Sequence, residues 1–252
     1  MSLESGRAEF RQLADLIRAD IDAGTYRPGQ ALPSEPQLAD RYGVSRQTVN
    51  NATKILRSEG YVRVERGRGT IVRELPMLTT ERTRRQAERT GTGQARGAFQ
   101  AEIERQGLQA RPLPEVRVDV VPVPAAAAAL LGIRPGGLAL ARSRRQFAND
   151  VPVQLATSYY PLDIAEGTQI EQEDPGPGGS YSRLADLGHE PVSFREILKV
   201  RLPDENESRL LRMDAEQRVI TIRRIARDKN GRVVEVNDMV LPAHQWEIVS
   251  DW

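Results

Sequence analysis

Three helical segments, each closed by a glycine, occupy the first sixty residues of this chain. Apolar side chains recur at helical spacing over residues 10–23, and the next two segments begin at Ser34 and Ser45. Serine caps helix N-termini, and Gln37, three residues after Ser34, completes a capping-box pattern. The closing glycines are Gly24, Gly43 and Gly60. Because short amphipathic helices need other elements to cover their apolar faces, this order predicts a small helical unit.

A change of periodicity follows the third helix. Residues 61–64 and 70–72 are rich in β-branched side chains, and residues 65–69 between them have the sequence Glu-Arg-Gly-Arg-Gly. This pattern predicts two short strands joined by a hairpin with two arginines at its tip. Three helices followed by a hairpin predict a winged helix-turn-helix, which we place at residues 7–73.

Positive charge is concentrated in this first part, although the whole chain carries a net charge of only +1. Between Arg41 and Arg73, two acidic residues, Glu59 and Glu65, stand against eight basic ones. The basic residues are Arg41, Arg46, Lys54, Arg57, Arg63, Arg66, Arg68 and Arg73. A basic strip on a nearly neutral chain indicates a surface for a polyanion, and a solvated helix face is the alternative that charge alone leaves open.

The third helix begins with the residue types of a DNA recognition helix. Such a helix enters the major groove with its N-terminus, where arginine pairs with guanine and glutamine or asparagine with adenine. Arg46, Gln47 and Asn50 occupy those positions. Ser45 and Thr48 taken alone are explained as a cap and its partner, so it is the joint spacing that favours DNA binding. The predicted DNA-binding residues are Ser34, Ser45, Arg46, Gln47, Thr48, Asn50, Lys54, Arg66, Gly67, Arg68, Gly69 and Thr70.

Nearly all of residues 8–73 resembles the GntR family of bacterial repressors. The matching stretches are residues 26–35, 38–39, 42–49, 59–60 and 67–70, together with Ala52 and Leu56. The resemblance implies that Arg46 and Thr48 contact DNA at the start of the helix and that Gly67 enters the minor groove at the wing tip. The family often has arginine where this chain has Pro36 and Asn50, so the operator preference is expected to differ from the family's usual one.

The chain loses its periodicity over residues 74–96, which we therefore interpret as a linker. Four arginines cluster within this stretch, at positions 82, 84, 85 and 89. They are expected to be solvated, with contacts to DNA phosphates as the alternative.

A second domain is predicted over residues 97–252. Alternating valines over residues 116–120 indicate a strand, and two hairpins are predicted at residues 138–160 and 219–240. Short helical segments separate these strands. The pattern is that of an α+β domain with a mostly antiparallel sheet.

This second domain resembles the sensor domain of the HutC subfamily, whose fold is similar to that of chorismate lyase. The matching features are Phe99 before Gly107, Leu130 with Gly132, and residues 142–144, 152–161, 181–188 and 224–235. The resemblance implies that the domain binds a small, often anionic, effector. Relatives that sense phosphorylated sugars tend to have hydroxyl side chains where this chain has Ala98, Gln100 and Gly179, so we leave the effector unnamed.

Two arginines on one predicted strand carry the ligand prediction. Arg142 and Arg144 alternate, so both side chains share one face and form an anion clamp if that face is inward. The alternatives are a solvated edge or an ion pair with Glu235. The predicted effector-binding residues are Phe99, Arg142, Arg144, Gln154, Ser180, Tyr181, Glu235 and Asn237.

Several classes of protein are disfavoured. The chain has no cysteine, so disulfides and thiolate metal sites are excluded. No apolar stretch approaches the roughly 18 residues of a membrane span, and the N-terminus lacks a secretory signal core. His189 and His244 lie in unrelated segments and no hydrolase or phosphate-loop motif occurs, so we predict no catalytic residues, no metal and no cofactor.

We therefore expect a cytoplasmic, homodimeric transcriptional regulator that binds an inverted repeat of double-stranded operator DNA. We expect it to act as a repressor whose operator binding is modulated by a small metabolite of the anionic class, bound in the second domain. An enzyme that uses the arginine pair and Glu235, and a structural DNA-binding protein whose second domain only dimerises, are the two alternatives.

Overall fold

The computed structural model describes residues 8–73, 78–81, 98–110 and 115–250. Backbone contacts divide the chain into two units. The first comprises Met1–Leu75 with Asp214–Gln217, and the second comprises Pro76–Met213 with Arg218–Trp252.

The first unit has the predicted order of three helices and a hairpin. Its elements are α1 (Glu9–Asp22), α2 (Glu35–Tyr42), α3 (Arg46–Ser58), β1 (Val62–Glu65) and β2 (Gly69–Val72). Ser45 caps α3, because its Oγ accepts a hydrogen bond from the backbone N–H of Thr48 at 3.0 Å. Gly43 ends α2 at a φ of 66°, which glycine adopts without steric cost. β1 and β2 are antiparallel, with Val62 opposite Val72.

One apolar cluster holds the first unit together. It contains Leu13, Ala14, Ile17, Tyr26, Leu32, Leu38, Ala39, Val49, Ala52, Leu56, Val62 and Val72. All three helices and both strands contribute, so the spacing that predicted each helix also describes its buried face. Each large apolar side chain buried in this way stabilises the unit by about 1.5–3 kcal/mol.

The second unit is built on a six-stranded antiparallel sheet. The strands of the unit are β3 (Leu78–Glu81), β4 (Glu115–Pro122), β5 (Leu138–Ala148), β6 (Val151–Tyr160), β7 (Ser193–Arg201), β8 (Val219–Arg227), β9 (Val233–Pro242) and β10 (Trp246–Val249). Six of them form the sheet, in the order β4-β5-β6-β9-β8-β7. Asn149 and Asp150 join β5 to β6 with φ values of 47° and 63°, as a type I′ hairpin requires. The predicted α+β fold is confirmed.

Helices cover both faces of this sheet. They are α4 (Ala98–Arg105), α5 (Ala125–Leu131), α6 (Leu162–Ala165), a 3-10 turn (Gln169–Glu171), α7 (Gly179–Asp186) and α8 (Glu205–Leu211). α4, the 3-10 turn and α7 pack on the face that carries Arg142, whereas α5 and α8 pack on the opposite face. Within the described ranges, no helix is long and apolar enough to cross a membrane.

The structure differs from the predicted linker at β3. Leu78 is fully buried and lies opposite Trp246 in a parallel pair between β3 and β10. Trp246 is fixed in turn by a hydrogen bond of 2.8 Å from its Nε1 to the backbone oxygen of Val153. A strand of four residues has too little periodicity to be recognised, and its partner lies more than 160 residues away. The four clustered arginines of the predicted linker, at positions 82, 84, 85 and 89, lie outside the described residues.

Candidate functional site

The face of α3 opposite its buried side is rich in polar side chains. Val49, Ala52 and Leu56 point into the core, while Arg46, Gln47 and Lys54 are exposed and Asn50 is half-buried. Because residues four apart share one side of a helix, Arg46, Asn50 and Lys54 form one row. This is the surface that a recognition helix presents to the major groove.

Neighbouring side chains hold the polar groups of this face. The hydroxyl of Thr48 donates to Glu9 Oε2 at 2.9 Å and lies 2.9 Å from Ser45 Oγ. Thr48 is thus fixed from α1 as well as from the cap. The contact of Glu9 with Thr48 was not predicted, because it joins residues 39 positions apart.

Two amides of α3 are positioned in the same way. Gln47 Nε2 donates to Asn51 Oδ1 at 3.1 Å, one turn further along the helix. Asn50 Nδ2 donates to Glu35 Oε1, also at 3.1 Å. Glu35 begins α2, and its contact with α3 was likewise not predicted.

The wing has its glycines at the tip, as predicted. Gly67 and Gly69 have φ values of 81° and 88°, so side chains there would be strained. Arg68 pairs with Glu65 at 2.6 Å, and Arg63 pairs with the same carboxylate at 2.6 Å. The hydrogen bond from Arg63 lowers the pKa of Glu65. Glu65 therefore offsets part of the charge that the sequence assigned to the wing.

Other cations of this surface remain uncompensated. Arg46, Lys54 and Arg66 are exposed, and none of them forms an ion pair within the part of the chain that the structure describes. A groove of about 320 Å³ lies between α2, α3 and the wing. Its lining residues are Leu32, Pro33, Ser34, Glu35, Leu38, Thr53, Arg68, Gly69 and Thr70. The groove brings together Ser34, Arg68, Gly69 and Thr70 of the predicted set.

A row of polar side chains crosses the sheet of the second unit, and we call it the polar row. The strand registers place Arg142, Ser158, Asn237, Arg224 and Glu196 opposite one another, so all five share one face. Arg142, Ser158, Asn237 and Arg224 are buried. Apolar clusters covered by α4 and by α7 lie on the same face to either side. Ser158, Arg224 and Glu196 were not predicted, because their alignment depends on registers between distant strands.

The guanidinium of Arg142 is hydrogen-bonded to backbone carbonyl oxygens. Arg142 is 2% exposed and donates to the carbonyl oxygens of Ile170 at 2.5 Å, of Glu173 at 3.0 Å and of Gln172. Burial lowers the pKa of Arg142. The predicted two-armed anion clamp is therefore not formed in this structure, since one of its guanidiniums holds the backbone of residues 170–173, in and after the 3-10 turn.

Arg144 lies on the same face of the sheet as Arg142, and no acidic side chain among the described residues neutralises its charge. It donates to Ser158 Oγ, its Nε is buried without an acceptor, and among the described residues no carboxylate pairs with it. Glu235 does not pair with either arginine, which corrects one alternative given above. Its carboxylate instead accepts hydrogen bonds from the hydroxyls of Tyr160, at 2.7 Å, and of Tyr181.

Glu235, Tyr160 and the half-buried Tyr181 form a hydrogen-bonded group beside the polar row. Burial raises the pKa of Tyr160, the charge of Glu235 adds to the rise, and a hydrogen bond with Ser180 opposes it. Tyr181 also stacks on Phe194, with ring centroids 5.9 Å apart. Three predicted effector residues, Ser180, Tyr181 and Glu235, are thus brought together.

The remaining predicted effector residues lie on the same face. Asn237 is 7% exposed, and its Oδ1 accepts no hydrogen bond from any residue in the described ranges. Gln154 is buried and donates to Gln146 at 2.6 Å. Phe99 packs on the cluster beneath α4. The covered face of the sheet therefore carries Arg144, which has no carboxylate partner among the described residues, together with two buried amide oxygens, of Gln154 and Asn237, that accept no hydrogen bond there.

Comparison with known proteins decides the family. Residues 10–72 match the bacterial regulatory proteins of the gntR family, and residues 116–246 match the UTRA domain. The chain belongs to the GntR family of transcriptional regulators. It carries a UTRA domain as its second unit, as expected for the HutC type. The families and relatives that it matches are DNA-binding regulators, not enzymes.

Several GntR-family relatives match over most of their length. An HTH-type transcriptional regulator of Streptomyces coelicolor, SCO4628, is 33% identical over 231 residues, which are 90% of this chain and 86% of the relative. GgaR of Escherichia coli is 24% identical over 90% of this chain and 84% of its own. A solved structure assigned to the GntR family covers 98% of both chains at a TM-score of 0.63 and 26% identity. PhnF of Mycobacterium smegmatis shares the fold, with a TM-score of 0.57 over 95% of this chain and 98% of its own at 22% identity.

Proposed function

We propose that this protein is a homodimeric repressor that binds an inverted repeat of operator DNA, and that a small anionic metabolite, bound at Arg144 beside the polar row, changes its affinity for that DNA. The metabolite proposal rests on one observation, the Arg144 guanidinium on the covered face of the sheet without a carboxylate partner among the described residues. Removing a charge from water is unfavourable unless an opposite charge compensates it. A bound anion supplies that charge.

Repression and dimerisation are supported by different arguments. MngR of Escherichia coli, named a repressor of a mannosyl-D-glycerate transport and metabolism system, is 43% identical over 65 residues, or 26% of this chain and 27% of its own. Regulators with a recognition helix bind two half-sites about one turn of DNA apart, a spacing that two copies related by a twofold axis satisfy. Sedimentation of the purified protein tests the dimer, and a reporter gene placed behind the operator tests repression.

Ligand and DNA are expected to influence each other reciprocally. If the anion favours an arrangement of the dimer that misplaces the two recognition helices, it weakens operator binding, and the operator weakens anion binding by the same factor. Mono- and dicarboxylates, sugar phosphates and inorganic phosphate, each titrated against the protein–operator complex, make up the probe panel. A metabolite class that displaces the operator identifies the effector.

Arg144→Ala should separate ligand response from DNA binding. We expect the anion concentration that halves operator binding to rise about tenfold, because a charge-assisted hydrogen bond is lost, while operator affinity without the anion stays unchanged. Fluorescence anisotropy of a labelled operator, titrated with the displacing anion, measures both quantities.

The neighbouring Arg145 provides the matched control. It lies on the opposite face of β5, where it pairs with Glu115 at 3.2 Å. Arg145→Ala should leave the response to the anion unchanged. Equal responses of the Arg144→Ala variant and the wild type would contradict the proposed site, and the DNA-binding assignment would be unaffected.

A further inference from the structure

The contact between Asn50 and Glu35 determines which groups this part of the recognition surface offers to DNA. Asn50 lies on the groove-facing row of α3, four residues after Arg46, and Glu35 is exposed at the start of α2. Asn50 Nδ2 donates to Glu35 Oε1 at 3.1 Å. A carboxylate accepts hydrogen bonds but cannot donate them, so it fixes which end of the amide faces it.

The exposed hydrogen-bonding groups at this point are therefore mainly acceptors. One amide N–H of Asn50 is engaged by Glu35, and no residue in the described ranges donates to Asn50 Oδ1. The next residue along α2, Pro36, has neither a backbone N–H nor a polar side chain to contribute a donor. An amide oxygen and a carboxylate thus stand side by side, with a single remaining amide N–H.

Acceptors in the major groove select bases that carry an amine. Cytosine presents its N4 amine and adenine its N6 amine there, whereas guanine presents only the acceptors O6 and N7 and thymine the acceptor O4. A carboxylate beside guanine O6 and N7 is repelled. An adenine also accepts from the remaining N–H of Asn50 through N7.

We propose that Asn50 and Glu35 together form a specificity-determining pair that requires an amino base, adenine or cytosine, on the contacted DNA strand and excludes guanine. Asn50 makes the contact. Glu35 orients the Asn50 amide and adds the negative charge that rejects guanine. The inference rests on the sequence-specific DNA binding proposed above, and it is independent of the effector.

Operator selection with three full-length variants tests the pair. Random DNA duplexes are selected with wild type, Asn50→Ala, Asn50→Arg and Glu35→Gln, and the base preference at each position is compared. We expect Asn50→Ala to lose about tenfold preference at one base pair and Glu35→Gln to admit guanine at that same pair. Asn50→Arg should place guanine on the strand that carried the amino base, because arginine donates to O6 and N7.

Modified operators identify the contacted strand directly. The amino base is replaced on one strand at a time by an analogue without the major-groove amine, 2-aminopurine for adenine or 2-pyrimidinone for cytosine. Wild type should lose about tenfold affinity on the contacted strand, and Asn50→Ala should lose none. Asp40→Asn, which removes an exposed carboxylate further along α2, is the matched control and should keep the wild-type profile. Equal melting temperatures of all variants establish that they are folded.

Each outcome separates this inference from the proposed function. A wild-type protein that selects no common site contradicts sequence-specific binding itself. If the selected site is the same for wild type, Asn50→Ala and Glu35→Gln, or if it carries guanine on the contacted strand, the specificity role of Asn50 and Glu35 is wrong. The proposal that the protein is a sequence-specific regulator would still stand.

Discussion

The Arg46→Ala variant should bind operator DNA about 5- to 150-fold more weakly than the wild type. Arg46 is the first residue of α3, it is exposed, and it has no ion-pair partner among the described residues, so its five donors are free for a base edge. One bidentate contact between arginine and guanine discriminates by about 1–3 kcal/mol, which corresponds to that range. Anisotropy titrations against the operator and against single-base variants measure the loss.

Two further arginines distinguish base reading from charge alone. Arg66→Ala on the wing should weaken binding to all duplexes alike and reduce its salt dependence, as expected when one phosphate contact is lost. Arg27 is exposed in the turn before α2, and Arg27→Ala is the matched control for removal of one positive charge. If Arg46→Ala keeps both the affinity and the base preference of the wild type, the assigned register of the recognition helix is wrong.

The Arg142→Ala variant should unfold far more easily than the wild type. Arg142 is buried and donates to three backbone carbonyls, all of which lose their partner when the side chain is removed. A hydrogen bond to a charged group contributes about 1.5–3 kcal/mol, and three such bonds are lost, so we expect the free energy of unfolding of the second unit to fall by about 3 kcal/mol or more. Chemical denaturation followed by the fluorescence of Trp246, which lies in the core of that unit, measures the change.

Arg144→Ala is the control for this prediction. Arg144 shares the strand and the face of Arg142 but bonds only to Ser158 Oγ among the described residues, so its removal should lower stability by about 1 kcal/mol. If Arg142→Ala instead unfolds like the wild type and loses only the response to an anion, then Arg142 is a ligand-binding residue, as the sequence indicated, and not a support for the backbone.

Features set by near neighbours in the chain were predictable. The cap Ser45, the terminating Gly43 and the hairpin at Asn149 and Asp150 all act within a few residues, so each can be recognised from sequence. The apolar spacing of α3 likewise identified the face that it buries. These local patterns were sufficient to predict the helices and hairpin of the winged helix-turn-helix and most strands of the sheet.

Features that depend on distant pairing were not predictable. β3 is a strand only because β10 lies beside it, and Glu35 reaches Asn50 only because α2 and α3 pack together. The sequence correctly placed Arg142 and Arg144 on one face, but it could not show that backbone carbonyls occupy one of them. Whether a side chain is free for a ligand depends on these long-range contacts. Local rules therefore predicted the helices and the hairpin of the first unit, but not the side-chain contacts in the interior of the UTRA domain.

The central claim, that this protein reads a specific operator, is tested most directly by selecting genomic fragments with the purified chain and titrating the best one at two salt concentrations. We predict a compact inverted repeat that is bound at least about a thousandfold more tightly than random DNA at physiological salt. Equal affinity for all fragments, with only a steep dependence on salt, would leave nothing but phosphate contacts and would contradict the account.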